Sequence, residues 1–132
     1  MSTDSAKVVS EFLNAVKVVD LAKVGDLLDA QVQWSQPGNN EISGEKDSKE
    51  KVFEMVGKMF EVSGNTLQLK NFSTISVNND RVAAVLDWTA QKPSGAVLNV
   101  TNIDVYTIAS GKISKVEVFS TDPEQEDHFW KR

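Results

Sequence analysis

The sequence contains no cysteine, and that absence removes disulfides, thiolate metal sites, iron–sulfur clusters and cysteine nucleophiles together. Histidine is nearly as scarce. His128 stands alone near the C-terminus, so a His-rich zinc site cannot be built, and a Ser-His-Asp triad would have to recruit that one residue. Positive charge is in deficit: 14 Lys and Arg face 19 Asp and Glu, a net charge of -5. Such a surface opposes attraction to phosphate backbones or anionic lipid, which argues against nucleic acid and membrane as partners. No apolar run approaches the roughly 20 residues of a membrane span. The polar, acidic N-terminus also lacks the cationic and then apolar pattern of an export signal, so a cytoplasmic protein is expected. With 7 Gly and 3 Pro the chain is neither collagen-like nor of low complexity.

What is present is the composition of a globular protein. The chain has 132 residues, 40% hydrophobic and 25% charged, which suits one domain spanning residues 1–132 and leaves no room for two separate cores. Val8, Val9, Phe12, Leu13, Val16 and Val19 recur at three- and four-residue spacing and predict an amphipathic helix over residues 5–19, with Thr3, Asp4 and Ser5 as candidate caps. Asp20 can cap a second, shorter helix whose stripe is Leu21, Val24, Leu27 and Leu28. Residues 31–35 alternate like a short strand, and residues 37–44 read as a loop. Asp47 and Glu50 resemble a capping box ahead of a third helix that ends near Val62.

After Gly64 the period changes to two. Residues 66–77, 81–91, 96–108 and 112–121 predict four long strands, joined by short turn-rich segments at 78–80, 92–95 and 110–111. The expectation is an α+β domain with its helices covering one face of an antiparallel meander, and with the tail from Pro123 capping one end of the sheet. Parity then sorts the side chains. Val82, Ala84, Leu86, Trp88 and Ala90 share an inward face; Ala83 and Val85 lie among polar residues on the other, as on a sheet surface partly covered by a second subunit or on one partly open to solvent.

In the third long strand Leu98, Val100, Asn102, Asp104, Tyr106 and Ile108 fall on one side. A polar pair between apolar neighbours fits an inward strand that passes through a pocket. A buried Asp104 would have a raised pKa and could act as a neutral hydrogen-bond donor or general acid. Parity equally allows Asp104 to face solvent or pair with a lysine.

The element order, with Val32-Gln33-Trp34 before Pro37-Gly38, Ser43-Gly44 before the third helix, and residues 103–108 before Gly111-Lys112-Ile113, resembles the NTF2-like fold. That fold includes ketosteroid isomerases and SnoaL-like polyketide cyclases. The resemblance implies a conical half-barrel around an apolar cavity that takes a small apolar molecule, and a homodimer through the outer sheet face. It also implies that Asp104, in Ile103-Asp104-Val105-Tyr106, matches the oxyanion-hole aspartic acid of the isomerases, which an apolar site keeps protonated. The isomerase tyrosine would fall at Phe12, which has no hydroxyl, and the general base at or next to Trp34, which cannot take a proton from carbon. These departures argue against steroid isomerisation. The Asp-Arg-Asp arrangement of epoxide hydrolases of this fold is not evident either, since the only arginines are Arg81 and Arg132.

SnoaL-like cyclases are the nearer match, because one cavity aspartate can suffice for a carbon acid that is already acidic. Asp104 is the candidate catalytic residue; Phe12, Trp34, Trp88, Asn102 and Tyr106 are candidate ligand contacts, although inward aromatics such as Trp34, Trp88 and Tyr106 are more often core than ligand contacts, and no cofactor or metal is implied. Asp122 ranks below Asp104, as a solvated turn. His128 and the cluster Glu124, Glu126 and Asp127 read as a solvated tail. Two functions stay open: an acid/base isomerase or cyclase-like enzyme, and a non-catalytic binding or dimerisation module.

Overall fold

A computed structural model describes residues 2–131, with side chains for all of these except positions 2, 3, 74 and 75. The first helix, α1 (Ser2–Lys17), starts ahead of the expected caps, so Asp4 and Ser5 lie inside its first turn; the Thr3 side chain is outside the described ones. Asp20 does cap α2 (Leu21–Leu27), its carboxylate accepting from the Lys23 amide at 3.2 Å. Leu28, expected on that helix, is instead the first residue of β1 (Leu28–Gln36), where the backbone turns extended and the side chain is buried. A short strand missing from the sequence reading, β2 (Gly44–Lys46), pairs antiparallel with the end of β1.

The cap of α3 (Lys49–Ser63) corrects the expected capping box. Ser48, not Asp47, is the N-cap: its hydroxyl accepts from the Lys51 amide at 3.2 Å, while Asp47 forms an ion pair with Lys51 at 3.0 Å. Gly64, left-handed at φ 64°, closes the helix as the residue type with no Cβ penalty there.

The meander follows as β3 (Gln68–Asn78), β4 (Arg81–Gln91), β5 (Val97–Ala109) and β6 (Lys112–Ser120). Ser110 and Gly111 both have positive φ, the twist that a two-residue hairpin between β5 and β6 requires. One pairing was not foreseen: β1 runs parallel to β6, giving a six-stranded sheet in the order β2-β1-β6-β5-β4-β3. The tail from Pro123 is a helix, α4 (Pro123–Trp130), capped by Asp122, with Phe129 and Trp130 buried. The helices lie on the inner face, where Val82, Ala84 and Leu86 of β4 join Val9 and Leu13 of α1 in one buried cluster. No helix among the described residues is long and apolar enough to cross a membrane.

Candidate functional site

Asp104 enters the inner face at mid-strand, opposite Ala84 of β4 and Val118 of β6. The two small neighbours leave space over it, and the carboxyl is 4% exposed. Two residues along the same strand, the Tyr106 hydroxyl donates to Asp104 Oδ2 at 2.8 Å. Phe12, from α1, meets the Tyr106 ring edge to face at 5.8 Å between centroids. Phe12 therefore packs the tyrosine in place, and the hydroxyl near the acid comes from β5 itself. The other oxygen, Oδ1, is buried with no hydrogen-bond partner. Burial pushes the Asp104 pKa up to about 7; the Tyr106 hydrogen bond pulls it down in part, and the nearby Glu126 carboxylate raises it. The Tyr106 phenol is itself held well above its ordinary value by burial and by Asp104, so it remains a donor.

Asp104 borders a recess of ≈ 40 Å³ lined also by Gln36, Met59, Leu67, Trp88, Leu98, Val100, Asn102, Val118, Glu126 and Trp130. Of the residues singled out from sequence, Trp88, Asn102 and Asp104 line it. Tyr106 and Phe12 stand behind Asp104, fully or nearly buried. Trp34 is half-buried on β1 and acts at one remove, its indole nitrogen donating at 2.9 Å to the side-chain oxygen of Gln36, a lining residue.

Two lining residues lie in the segment that the sequence reading placed in solvent. With its amide oriented to suit its neighbours, Asn102 donates to Glu126 Oε2 at 3.0 Å and to the Thr101 carbonyl at 3.2 Å. Burial raises the Glu126 pKa, although hydrogen bonding from Ser120 and the proximity of the Trp130 indole oppose it. Trp130 Nε1 is buried without an aligned partner. The signal for this helix was legible: Asp122 and Pro123 form a cap and first turn, and Glu126, Phe129 and Trp130 follow at helical spacing.

The remaining candidates fall elsewhere. Asp122 is an exposed N-cap accepting from the Gln125 amide at 3.1 Å, its carboxyl held low by the Gln125 side chain. His128 is exposed, and Asp127 accepts from the Asn39 amide at 2.7 Å and from Asn40 Nδ2 at 2.8 Å, pinning α4 to the loop after β1. Arg81 is on the outer face, 3.5 Å from Glu117; Arg132 lies outside the described residues. Among the described residues no three His, Asp or Glu side chains are grouped to hold a metal.

The outer face carries an apolar centre. Val85, Ile103 and Phe119 form one cross-strand row and Ala83 and Val105 begin the next, with Phe119 55% exposed. Polar pairs bound it: Thr101 donates to Asp87 at 2.7 Å on one side, and Arg81 meets Glu117 on the other.

No curated protein matches this sequence. Among solved structures, a protein of unknown function with a cystatin-like fold from Xanthomonas campestris is 34% identical, over 97% of this chain and 98% of its own, with a TM-score of 0.91. TerC, crystallised with polyporic acid, is 17% identical over 94% of this chain and 97% of its own, TM-score 0.79. An NTF2-like protein from Burkholderia xenovorans is 13% identical over 96% and 97%, TM-score 0.73. These likenesses fix the NTF2-like architecture, and the sequence profile of the SnoaL-like domain matches residues 9–116. The chain therefore belongs to the SnoaL-like domain family.

Proposed function

We propose that this protein is an acid/base catalyst that binds a small, largely apolar molecule and acts on a carbon acid beside a carbonyl, as an isomerase or cyclase-like enzyme. The observation that carries the reading is Asp104, a residue lining the recess: a dry carboxyl with one oxygen fixed by Tyr106 and the other, Oδ1, buried without a partner. A buried polar atom left without a partner is costly, and a ligand oxygen would supply one. Protonated Asp104 donates from Oδ1 to the substrate carbonyl. Glu126, held by Asn102, takes the proton from the adjacent carbon; the electron pair moves onto the carbonyl oxygen, and the enol forms. Return of the proton to a different carbon completes an isomerisation; attack of the enol carbon on a second carbonyl completes a cyclisation. That TerC, a protein of the same fold, was crystallised with polyporic acid supports reading the recess as a ligand site.

The test is deuterium exchange at the carbon between the carbonyls of acetylacetone, followed by NMR. Exchange above the solvent background is expected in the wild-type protein and lost in Asp104→Asn. Equal exchange in both removes Asp104 from the chemistry.

A second reading, a non-catalytic module that dimerises, is favoured by the apolar centre and polar rim of the outer sheet face, the anatomy of a subunit interface. Dimerisation is compatible with catalysis, and we propose it for either case. Sedimentation should give a dimer for the wild type and a monomer for Phe119→Glu; a monomeric wild type ends this part of the proposal. A cytoplasmic location belongs to the same proposal, and cell fractionation tests it.

A further inference from the structure

Two carboxyls wall the recess and no cation does. Asp104 and Glu126 are 4% and 6% exposed, the other polar walls, Gln36, Asn102 and Trp130, are neutral, and none of the described walls is a lysine, arginine or histidine. Neutral donors serve both acids: Tyr106 at Asp104, and Asn102, Ser120 and the Trp130 indole at Glu126. Such donors can hold one buried negative charge; a second in the same ≈ 40 Å³ space meets the first across a medium that screens little. Burial raises both pKa values, that of Asp104 to about 7 with a contribution from the Glu126 carboxylate.

The surrounding charges bring no relief. On α4 and its cap, Asp127 and Asp122 add to the rise at Glu126, while Glu124 and His128 are exposed. Lys92, just after β4, donates to the Lys131 carbonyl at 2.9 Å and lies over the Phe129 ring, and Lys58 of α3 pairs with Glu41 at 3.5 Å. The two acids differ in what carries them. Asp104 is fixed in mid-sheet, paired on both sides by β4 and β6. Glu126 belongs to α4, an eight-residue helix, shorter than helices that hold together alone in water. Outside the recess that helix is tied by Asp127 to Asn39 and Asn40, and by Gln125 to the Asn99 amide at 2.8 Å. Buried Phe129 and Trp130 keep it docked in most molecules, so its departure is a minor population.

We infer that α4 is a proton-controlled lid: it lies over the recess while Asp104 and Glu126 hold at least one proton between them, and it lifts when both are ionised. This rests on the acid/base reading for its meaning in catalysis, since that reading needs the same one-proton state, Asp104 protonated and Glu126 ionised; loss of the proton then opens the site as well as disarming it. Lifting the helix returns the carboxyls to water, where they release protons more readily. Opening is therefore favoured as the pH rises, by up to about tenfold per unit for each proton released, and levels off above about 7.

Hydrogen exchange of the full chain, with no ligand added, tests the lid. Backbone amides of residues 126–130 are followed by NMR beside those of β4 and β5 from pH 5 to pH 8, each rate taken relative to an unstructured peptide at the same pH. The α4 amides should be less protected than the strands, and their protection should fall about tenfold or more between pH 5 and pH 7. Glu126→Gln should shrink that fall, and Glu126→Gln combined with Asp104→Asn should abolish it; both replacements keep the shape and an oxygen for the neutral donors. Asn40→Ala, which cuts an uncharged tie outside the recess, should raise α4 exchange about fivefold at every pH. Exchange of α4 only together with the strands, a flat profile in the wild type, or a fall that survives the double substitution overturns the lid. Failure of the acid/base reading looks different: acetylacetone would exchange equally in the wild type and Asp104→Asn, whatever α4 does.

Discussion

Replacing Asp104 by Asn should stabilise the protein, and increasingly so as the pH rises. The unfolded carboxyl ionises near 3.8, whereas burial carries the folded value up to about 7. Between those values the folded chain holds a proton that the unfolded chain has released, so the free energy of unfolding falls with increasing pH. Below pH 4 both states are protonated and the penalty is absent; above pH 7 both are ionised and it is complete. About three pH units at 1.36 kcal/mol each set an upper bound of about 4 kcal/mol. Asparagine keeps the shape and an oxygen for the Tyr106 hydroxyl while removing the charge. Urea unfolding of both proteins at half-unit steps from pH 4 to 8 measures the difference. The advantage of Asp104→Asn should grow by up to about 1.4 kcal/mol per pH unit and level off above 7. Glu126, whose pKa is also raised by burial, contributes a slope of the same sign to both proteins and drops out in large part. A difference that stays flat across the range would mean that Asp104 ionises as it does in water, and the dry acid would have to be abandoned.

Other perturbations have equally definite outcomes. Tyr106→Phe removes the hydrogen bond that favours the ionised carboxylate, so the Asp104 midpoint should rise further in a carboxyl NMR titration, with a loss of about 1–2 kcal/mol in stability at pH 5. Gly38→Ala should cost about 2–3 kcal/mol in urea unfolding, because φ is 97° there and the added methyl would run into the Asp127 carboxylate that pins α4. Val19→Asn should gain about 1 kcal/mol by relieving the left-handed valine, read as a higher melting temperature.

The strands of the meander were legible because each alternates cleanly and each junction carries turn residues; β4 runs over the same residues, 81–91, that the pattern marked. The parallel pairing of β1 with β6 was not, since it joins segments some 80 residues apart and parallel pairing leaves no turn to read. The β2 strand is too short for a period. At the site, parity put Asn102 and Asp104 on one face with Tyr106 but could not say whether that face was wet. The answer depends on Phe12 and α4, which cover it from opposite ends of the chain. Glu126 was passed over because its neighbours Glu124 and Asp127 are charged too; only the helical period distinguishes the carboxylate that turns inward from those that do not.

The place of β6 between β1 and β5 has a further result for biosynthesis. Until residue 120 has left the ribosome, β1 has no main-chain partner but the three-residue β2, and the free side of β5 stays open. Two unsealed edges persist while most of the chain already exists, and each could recruit a strand from a neighbouring polypeptide. A nascent chain stalled or truncated before β6 should therefore clump or call on chaperones, whereas one carrying only the last strand and helix in addition closes the sheet in a single late event.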